Sequence, residues 1–564
     1  MLTRIFFSAL LFFFSARTFF PAAQKPVKSK NGMAVSASDL ATLVGTDILR
    51  NGGNAIDAAV AVGFALAVTF PEAGNLGGGG FMVIHFEDGK NTTIDFREKA
   101  PSIAHEKIYL DSLGNVIEGM STHGWTSSGV PGSVAGLIYA LEKYGTMSLQ
   151  EVIAPAIVLA RDGFPISESL AESLNYTRAE FEKYPSSKKI FVKEDGAWQE
   201  GDYLIQEDLA RTFEEIATNG AKGFYEGWVA DSIAAQSERN GWKISLDDLK
   251  NYAPVERAPI IGNYRGYEIV SMPPPSSGGV ALIETLNALE NFNVDSLGWN
   301  SGAYVFTLTE ILKHVYADRS EHLGDPDFYP VKSAELTDKT YALQIVQALA
   351  DTAIPSELIK PAVFPSANKE SEETTHYSIA DAEGNAVSVT TTINSAYGNK
   401  IVVNGCGFLM NNEMDDFSVK PGVPNQFGLL GSKANSVQAG KRMLSSMTPT
   451  IVLKNDSLFM VIGSPGGSTI ITTVLQCIVN AIDFKMNISE AIAAPRFHHQ
   501  WMPDEIFRER FALVKDVENF LERKGEHLGD FRRLGFAQGI IYDVKTKTFY
   551  GATDPRGDGL AASP

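Results

Sequence analysis

A β-hairpin is predicted for residues 374–394, which read TTHYSIADAEGNAVSVTTTIN. Residues 376–381 and 386–394 have the composition of two strands, and the four residues between them, AEGN, are typical of a turn. The preceding residues 362–373 are polar and contain several breakers of regular structure, as is typical of an exposed loop. An exposed loop therefore leads directly into a core strand at Thr374.

The pairing of these two strands determines what lies opposite Thr374. If the turn centres on residues 383 and 384, the numbers of paired residues add up to about 766 or 767, so Thr374 faces Thr392 or Ile393. Because side chains alternate along a strand, Thr390, Thr392 and Asn394 share one face and offer Thr374 a polar environment. The alternative is that these threonines are ordinary strand formers with solvated hydroxyl groups, and the hairpin by itself favours that alternative.

The bulk composition limits the class of protein. The chain has 564 residues, 44% hydrophobic and 20% charged, enough for several domains or one large composite core. Its 48 Lys and Arg against 67 Asp and Glu give a net charge of -19, which argues against nucleic acid or an anionic membrane as a partner. The two cysteines, Cys406 and Cys477, allow either one disulfide or two buried free thiols.

The N-terminus predicts a signal peptide over residues 1–23. Arg4 supplies a basic start, residues 5–16 are nearly all apolar, and small residues follow at Ala22 and Ala23. The apolar run is too short to span a bilayer comfortably, although an uncleaved anchor is the alternative. We therefore expect a secreted protein without a stable membrane anchor, in the bacterial periplasm or, as the second choice, outside the cell.

The rest of the chain shows three further patterns. Residues 37–68 predict two helices separated by NGGN at 51–54, and the second helix is apolar all round and therefore buried. Four glycines at 77–80 precede a predicted strand at 81–86, which indicates close backbone packing, a nearby ligand or simply a tight turn. Residues 135–360 predict a helix-rich covering layer.

At this point the sequence resembles the γ-glutamyltranspeptidase family. The resemblance extends over nearly the whole chain after residue 23, and its motifs occur in the expected order. These motifs are DFREKAP (95–101), GVPG (129–132), PPPSSGG (273–279), TTHYS (374–378), NNEMDDF (411–417), SSMTPT (445–450), GSPGGS (463–468), APRFHHQW (494–501) and DPR (554–556).

The resemblance implies an α+β fold, the four-layer αββα sandwich of the Ntn hydrolases, in which two stacked antiparallel sheets lie between helical layers. It also implies self-cleavage between Glu373 and Thr374. The products are a large subunit, residues 24–373, and a small catalytic subunit, residues 374–564, which remain together as a heterodimer in one composite domain. The freed α-amine of Thr374 then activates the hydroxyl of the same residue, so that no separate catalytic histidine is needed.

The resemblance also implies roles for individual residues. Thr374 is the nucleophile, Thr392 is hydrogen-bonded to it, and the backbone N–H groups of Gly466 and Gly467 form the oxyanion hole. The α-carboxylate and the α-ammonium of a γ-glutamyl donor are bound by two sets of side chains. The carboxylate set is Arg97, Ser445 and Ser446, and the ammonium set is Asn394, Glu413 and Asp416. Phe427 lies where many bacterial members have a tyrosine in a lid loop.

Without the resemblance, several of these residues have simpler explanations. Arg97 can form a structural salt bridge with Asp95 or Glu98, and the glycine pair can be an ordinary loop before a helix. Adjacent histidines at 498 and 499 lack the spacing of a metal site, and no HExxH, P-loop or GxSxG motif occurs. We expect neither a metal nor another cofactor.

The function implied is the transfer of the γ-glutamyl group of glutathione or another γ-glutamyl compound to water, an amino acid or a peptide. A cephalosporin or glutaryl acylase of the same fold is the nearest alternative, although such an acylase has no ammonium for Asn394, Glu413 and Asp416 to bind. A relative that acts on poly-γ-glutamate ranks lower, because an intact lid would obstruct a polymer. A non-catalytic binding protein is the alternative from another class, and it predicts no cleavage before Thr374.

Overall fold

The computed structural model describes residues 24–362, 374–420, 426 and 433–564. The predicted signal peptide, Glu373 and Phe427 lie outside the described residues. The strands are β1 (Val27–Ser29), β2 (Gly32–Ser36), β3 (Gly79–His85), β4 (Asn91–Asp95), β5 (Phe164–Pro165), β6 (Tyr203–Leu204), β7 (Val255–Arg257), β8 (Ile260–Tyr264), β9 (Tyr267–Ser271), β10 (Thr375–Asp381), β11 (Ala386–Thr392), β12 (Thr450–Lys454), β13 (Ser457–Gly463), β14 (Phe497–His498), β15 (Ile506–Arg508), β16 (Leu528–Phe531), β17 (Gln538–Asp543), β18 (Thr548–Thr553) and β19 (Leu560–Ala562).

Helices cover both faces of the strands. They are α1 (Asp39–Arg50), α2 (Ala55–Thr69), α3 (Ser133–Tyr144), α4 (Leu149–Asp162), α5 (Glu168–Phe181), α6 (Pro185–Phe191), α7 (Glu207–Asn219), α8 (Lys222–Tyr225), α9 (Gly227–Arg239), α10 (Leu246–Lys250), α11 (Gly278–Leu289), α12 (Val294–Leu297), α13 (Gly302–His322), α14 (Ser333–Leu336), α15 (Lys339–Ala348), α16 (Ser468–Ile482), α17 (Ile488–Ala493) and α18 (Lys515–Lys524). Short 3-10 helices lie at Trp125–Ser127, Ser356–Leu358, Glu413–Asp416 and Lys433–Asn435.

Two seven-stranded sheets form the centre. The first has the strand order β1-β18-β17-β13-β12-β9-β8, and the second has the order β19-β2-β10-β11-β3-β4-β7. Neighbouring strands in both sheets are antiparallel. β10 and β11 pack on β13, helices α1 to α3 cover the second sheet, and α11, α16 and α17 cover the first. The expected four-layer αββα arrangement is confirmed.

The chain on either side of Thr374 contributes strands to both sheets. The second sheet combines β2, β3, β4 and β7 with β10, β11 and β19, and the first sheet is mixed in the same way. The two apolar cores are therefore each built from residues that precede and residues that follow Thr374. Neither segment contains a complete seven-stranded sheet.

The hairpin pairs as its turn predicts. Thr375 lies opposite Thr391 and Ala380 opposite Ala386, which corresponds to a sum of 766 for each pair. The same register, extended by one residue, places Thr374 opposite Thr392. The turn is held by the Asp381 carboxylate, which accepts hydrogen bonds from the backbone N–H groups of the three residues after Ala382.

Two other patterns are confirmed and one is incomplete. The helices predicted in residues 37–68 are α1 and α2, and every residue of α2 is buried. The strand expected after the glycines is β3. The glycine run packs closely on neighbouring backbone, since a Cβ added to Gly78 would lie only 2.0 Å from the Thr392 carbonyl oxygen. The segment predicted as helix-rich, residues 135–360, also contains strands of both sheets. β7 is an edge strand of the second sheet, and β8 and β9 are the edge strand and its neighbour in the first sheet.

Both cysteines are free and buried. The disulfide that the sequence left open is therefore not formed. In the part of the chain that the structure describes, no helix combines the length and the apolar character that crossing a bilayer requires.

Candidate active site

A small cavity lies at the open end of the β10–β11 hairpin. Its volume is about 10 Å³, roughly the room of one water molecule. The cavity brings together most of the residues that the sequence predicted for one site. It is lined by Arg97, Thr374, Thr392, Glu413, Asp416, Ser445, Ser446, Met447 and Ile470.

Thr374 lies immediately before β10, with 5% of its surface exposed. Thr392, at the end of β11, is 1% exposed, and its hydroxyl accepts a hydrogen bond of 2.8 Å from the Asn394 backbone N–H. Asn394 adopts a positive φ of 71°, and its side chain donates to the Asn412 carbonyl at 2.9 Å. Asn394 therefore adjoins the cavity next to Glu413 without lining it.

Arg97 extends from the end of β4 into the cavity, and only 1% of it is exposed. Its guanidinium forms ion pairs with Glu413 and Asp416, which the 3-10 helix Glu413–Asp416 presents together. Nε and Nη2 also donate to the carbonyl groups of Met443 and Leu444, each at 3.2 Å. The residue expected to bind a carboxylate therefore lies against the residues expected to bind an ammonium.

The simpler explanation of Arg97 is only partly correct. Asp95 is engaged by other cations, Arg257 Nε at 2.9 Å and Arg442 Nε at 3.2 Å. Glu98 is a partner of Arg97, but at 3.4 Å it is more distant than Glu413 or Asp416. The main partners of Arg97 come from the chain beyond Thr374.

Glu98 is a site residue whose role the sequence did not indicate. It is fully buried, and burial raises its pKa to about 7, although the Arg97 charge acts in the opposite direction. Burial also raises the pKa of Glu413 well above its usual range, with Arg97 opposing the shift and the charge of Glu98 adding to it. The two carboxyl groups interact with each other, and each has one oxygen without another hydrogen-bond partner in the described structure. Both shifts favour the protonated form of these carboxyl groups. The position of Glu98 next to Arg97 in the chain was the available signal.

Ser445 and Ser446 are held by the loop before α11. The backbone N–H of Ser445 donates to the Pro275 carbonyl at 2.8 Å, and the Ser445 carbonyl accepts from the Ser277 N–H at 2.6 Å. Ser276 donates to the Met447 carbonyl at 2.6 Å. The PPPSSGG segment is therefore the support of the serine pair.

Gly466 and Gly467 form the turn that leads into α16. Their φ values are 124° and 56°, which favour glycine, and a Cβ on Gly466 would lie 2.6 Å from Thr469 Oγ1 and 3.1 Å from the Gly535 Cα. Gly467 is the N-cap of α16, so the partial positive charge of a helix N-terminus lies at this turn. The pair does not line the small cavity as it stands, and its role stays a prediction.

Histidine does not line the cavity. The nearest in sequence, His376, is fully buried and contacts Thr390 Oγ1 at 2.9 Å and Ser378 Oγ at 3.1 Å. Burial lowers its pKa to about 3, so it stays neutral at physiological pH. An imidazole base is therefore not positioned at Thr374 among the described residues.

One cluster has the composition of a metal site. His499, Asp504 and Glu526 place ligand atoms within 4.8 Å of one another. The Lys313 ammonium already lies among them, 3.0 Å from Glu526 and 3.4 Å from Asp504, and it also pairs with Glu310 at 2.7 Å. This ammonium supplies the positive charge that the carboxylates need. The expectation of no metal remains a prediction.

The arrangement combines one hydroxyl nucleophile with adjacent groups of opposite charge. A ligand that enters next to Thr374 meets a guanidinium, two serine hydroxyls and the Glu413 and Asp416 carboxyl groups. Such a site suits a small molecule that carries both an anionic and a cationic group.

Comparison with known proteins identifies relatives by sequence and by structure. The family model described as gamma-glutamyltranspeptidase matches residues 41–563. A glutathione hydrolase proenzyme of Escherichia coli strain K12 is 50% identical over 533 residues, which cover 94% of this chain and 91% of that protein. The crystal structure of a cephalosporin acylase from Bacillus halodurans has a TM-score of 0.86 at 26% identity and covers 98% and 99% of the two chains. That of Helicobacter pylori gamma-glutamyltranspeptidase has a TM-score of 0.58 at 48% identity and covers 59% of this chain and 96% of its own.

Proposed function

This chain belongs to the gamma-glutamyltranspeptidase family, and from that membership we propose that Thr374 is its nucleophile and that it matures by cleavage before Thr374. It is an N-terminal nucleophile enzyme of the glutathione hydrolase and γ-glutamyltransferase type. The donor is glutathione or another γ-glutamyl compound, and the acceptor is water, an amino acid or a peptide.

Maturation uses the Thr374 hydroxyl, the preceding peptide bond and one water molecule. The Thr374 hydroxyl attacks the Glu373 carbonyl carbon, the C–N bond breaks, and the acyl group moves to oxygen as an ester. The proton of the hydroxyl passes to the nitrogen, which already carries one hydrogen and so becomes the α-amine of Thr374. Water then hydrolyses the ester, which releases the carboxylate of Glu373 and restores the hydroxyl.

Turnover repeats this chemistry on an external amide. An α-amine at the end of a peptide ordinarily has a pKa of about 7.7 to 8.0, so much of it is neutral near pH 8. The α-amine of Thr374 takes the proton of Thr374 Oγ as that oxygen attacks the γ-carbonyl carbon of the donor. The negative oxygen of the tetrahedral intermediate accepts hydrogen bonds from the N–H groups of Gly466 and Gly467. The proton passes to the departing amine, a γ-glutamyl ester of Thr374 remains, and water or an acceptor amine then attacks this ester.

The ion pairs of Arg97 support a γ-glutamyl donor in particular. In the ligand-free site, Glu413 and Asp416 are both paired with the guanidinium. A donor zwitterion can replace both halves of this arrangement, because its carboxylate pairs with Arg97 while its ammonium pairs with the two acidic residues. No buried charge is left without a partner, and breaking a buried pair without replacement costs about 3–5 kcal/mol.

A glutaryl or cephalosporin donor fits this site less well. Such a donor has the carboxylate but lacks the ammonium, so it would draw Arg97 away and leave Glu413 and Asp416 without a cation. The overall likeness to a cephalosporin acylase supports the fold, whereas the charged side chains favour a donor with a free α-amine.

The test is to purify three forms of the full chain and measure their intact masses and their turnover of γ-glutamyl-p-nitroanilide and glutaryl-p-nitroanilide. These are the parent protein, Thr374→Ala and a matched control, Thr375→Val. The Thr375 hydroxyl has no hydrogen-bond partner in the described structure, so the control removes a neighbouring buried hydroxyl of the same kind. We expect two fragments in the parent and the control, with the second beginning at Thr374, and a single inactive chain in Thr374→Ala.

Each of the other outcomes has a definite meaning. An uncleaved and inactive parent would refute an enzyme and leave a binding protein of this fold. Cleavage with turnover of the glutaryl donor alone would refute the γ-glutamyl specificity and favour an acylase. Cleavage at another residue would refute Thr374 as the nucleophile.

We further propose that the two fragments stay associated and that the protein is exported. Both sheets mix strands from residues 24–362 and from residues 374–564, so separation would open both cores. Export rests on the basic and apolar pattern of residues 1–23, and the periplasm is the expected compartment.

A further inference from the structure

Helix α13 of the large segment presents two side chains to the active site of the small segment. Tyr316 and Arg319 are three residues apart on α13 and therefore lie on the same face. The Tyr316 hydroxyl donates to the Ser468 carbonyl at 2.5 Å, directly after the proposed oxyanion turn. Arg319, which is 1% exposed, contacts the serine pair instead.

Arg319 donates to two serine hydroxyl groups. Its Nε donates to Ser277 Oγ at 2.9 Å, and its Nη2 donates to Ser446 Oγ at 3.0 Å. Ser277 Oγ in turn donates to the Ser445 carbonyl at 2.9 Å. One guanidinium therefore holds the Ser446 hydroxyl directly and the Ser445 backbone through Ser277.

In the hydrogen bond between Arg319 and Ser446, the guanidinium can only be the donor. Arginine only donates hydrogen bonds, so Ser446 Oγ must use a lone pair to accept from Nη2. The single proton of that hydroxyl then points away from Arg319, and the adjacent positive charge makes it a stronger donor. A hydroxyl oriented in this way suits a carboxylate, and the adjacent positive charge of Arg319 disfavours an ammonium at the same place.

We propose that Arg319 is a positioning residue that commits Ser446 to donate its proton to the α-carboxylate of the donor. This proposal rests on the proposed function of the site. Arg97 alone does not distinguish the two ends of the donor, because in the ligand-free site it lies against the residues assigned to the ammonium. Arg319 defines which end of the site receives the carboxylate.

The test uses the mature enzyme and the variants Arg319→Gln and Arg319→Lys, with γ-glutamyl-p-nitroanilide as the donor. Two competitive inhibitors separate the roles: L-glutamate carries both charges, and 4-aminobutyrate carries the ammonium without an α-carboxylate. Intact mass verifies maturation first. If Arg319→Gln does not mature, Arg319→Lys serves, since a lysine keeps the charge but cannot reach both hydroxyls with one planar group.

We expect the KM of the donor and the inhibition constant of L-glutamate to rise about 10- to 100-fold, which corresponds to the loss of one charge-assisted hydrogen bond. The kcat and the inhibition constant of 4-aminobutyrate should change less than about threefold. In a Ser446→Ala background, Arg319→Gln should have a much smaller effect, because the group through which it acts is gone.

Lys313→Met is the matched control, since it removes another buried cation from α13 whose partners lie away from the cavity. It should lower stability without changing the ratio of the two inhibition constants. Equal weakening of both inhibitors by Arg319→Gln, or a fall in kcat at constant KM, would overturn the proposal. A parent enzyme that does not turn over the γ-glutamyl donor would instead refute the proposed function, whatever the variants do.

Discussion

Replacement of Glu98 by glutamine should change how stability depends on pH. Burial raises the pKa of this carboxyl group from 4.5 to about 7, so the folded protein holds its proton more tightly than the unfolded chain does. Stability from this group is therefore fully present below about pH 4.5 and is lost as the pH rises through 7. At about 1.4 kcal/mol per pKa unit, the total loss is about 3 kcal/mol, mostly between pH 5 and pH 8.

Glutamine has the shape of the protonated carboxyl group and does not titrate. We expect Glu98→Gln to match the parent within about 1 kcal/mol at pH 5 and to exceed it in unfolding free energy by about 2–3 kcal/mol at pH 8. Urea unfolding at the two pH values is the assay. Both proteins should carry Thr374→Ala, so that a single uncleaved chain unfolds. A difference between variant and parent that is the same at both pH values would refute the raised pKa of Glu98.

Two further changes test the charged and the oxyanion parts of the site. Arg97→Met should destabilise the uncleaved protein by about 3–5 kcal/mol, because Glu413 and Asp416 lose their buried cation. Urea unfolding of the variant and the parent measures this loss. An unchanged midpoint would show that these carboxyl groups are neutral without Arg97. Gly466→Ala should lower the kcat of the mature enzyme about 10²- to 10³-fold with little change in KM, since the new methyl group would displace the turn that we propose as the oxyanion hole. Steady-state kinetics on γ-glutamyl-p-nitroanilide decide this, and a loss confined to KM would place the turn in donor binding instead.

Local features of the chain were predictable because local chemistry determines them. The AEGN turn sets the register of β10 and β11, and that register places Thr374 opposite Thr392. The uniform apolar character of α2 predicts its complete burial. Strands β7 to β9 were not recognised in the helix-rich middle, because they are short and several of their residues are partly exposed at a sheet edge.

The state of the site was not predictable from motifs. The resemblance identifies Arg97, Glu413 and Asp416 as residues of one site, but only the folded structure shows that they form ion pairs with one another without a ligand. Glu98 and Arg319 were missed for a similar reason. One is adjacent to a recognised residue, and the other lies on a helix that meets the serine pair only through the tertiary fold.

The charged side chains of the site come from both sides of the proposed cleavage point. Arg97, Glu98 and Arg319 precede the proposed cleavage point, whereas Thr374 and the acidic partners of Arg97 follow it. Separation of the fragments would therefore expose or isolate several buried charges in addition to opening both sheets, and each uncompensated charge costs several kcal/mol. Cleavage can then free the α-amine of Thr374 without releasing the large segment. In the proposed mechanism, the new base then forms between residues that the fold has already positioned around it.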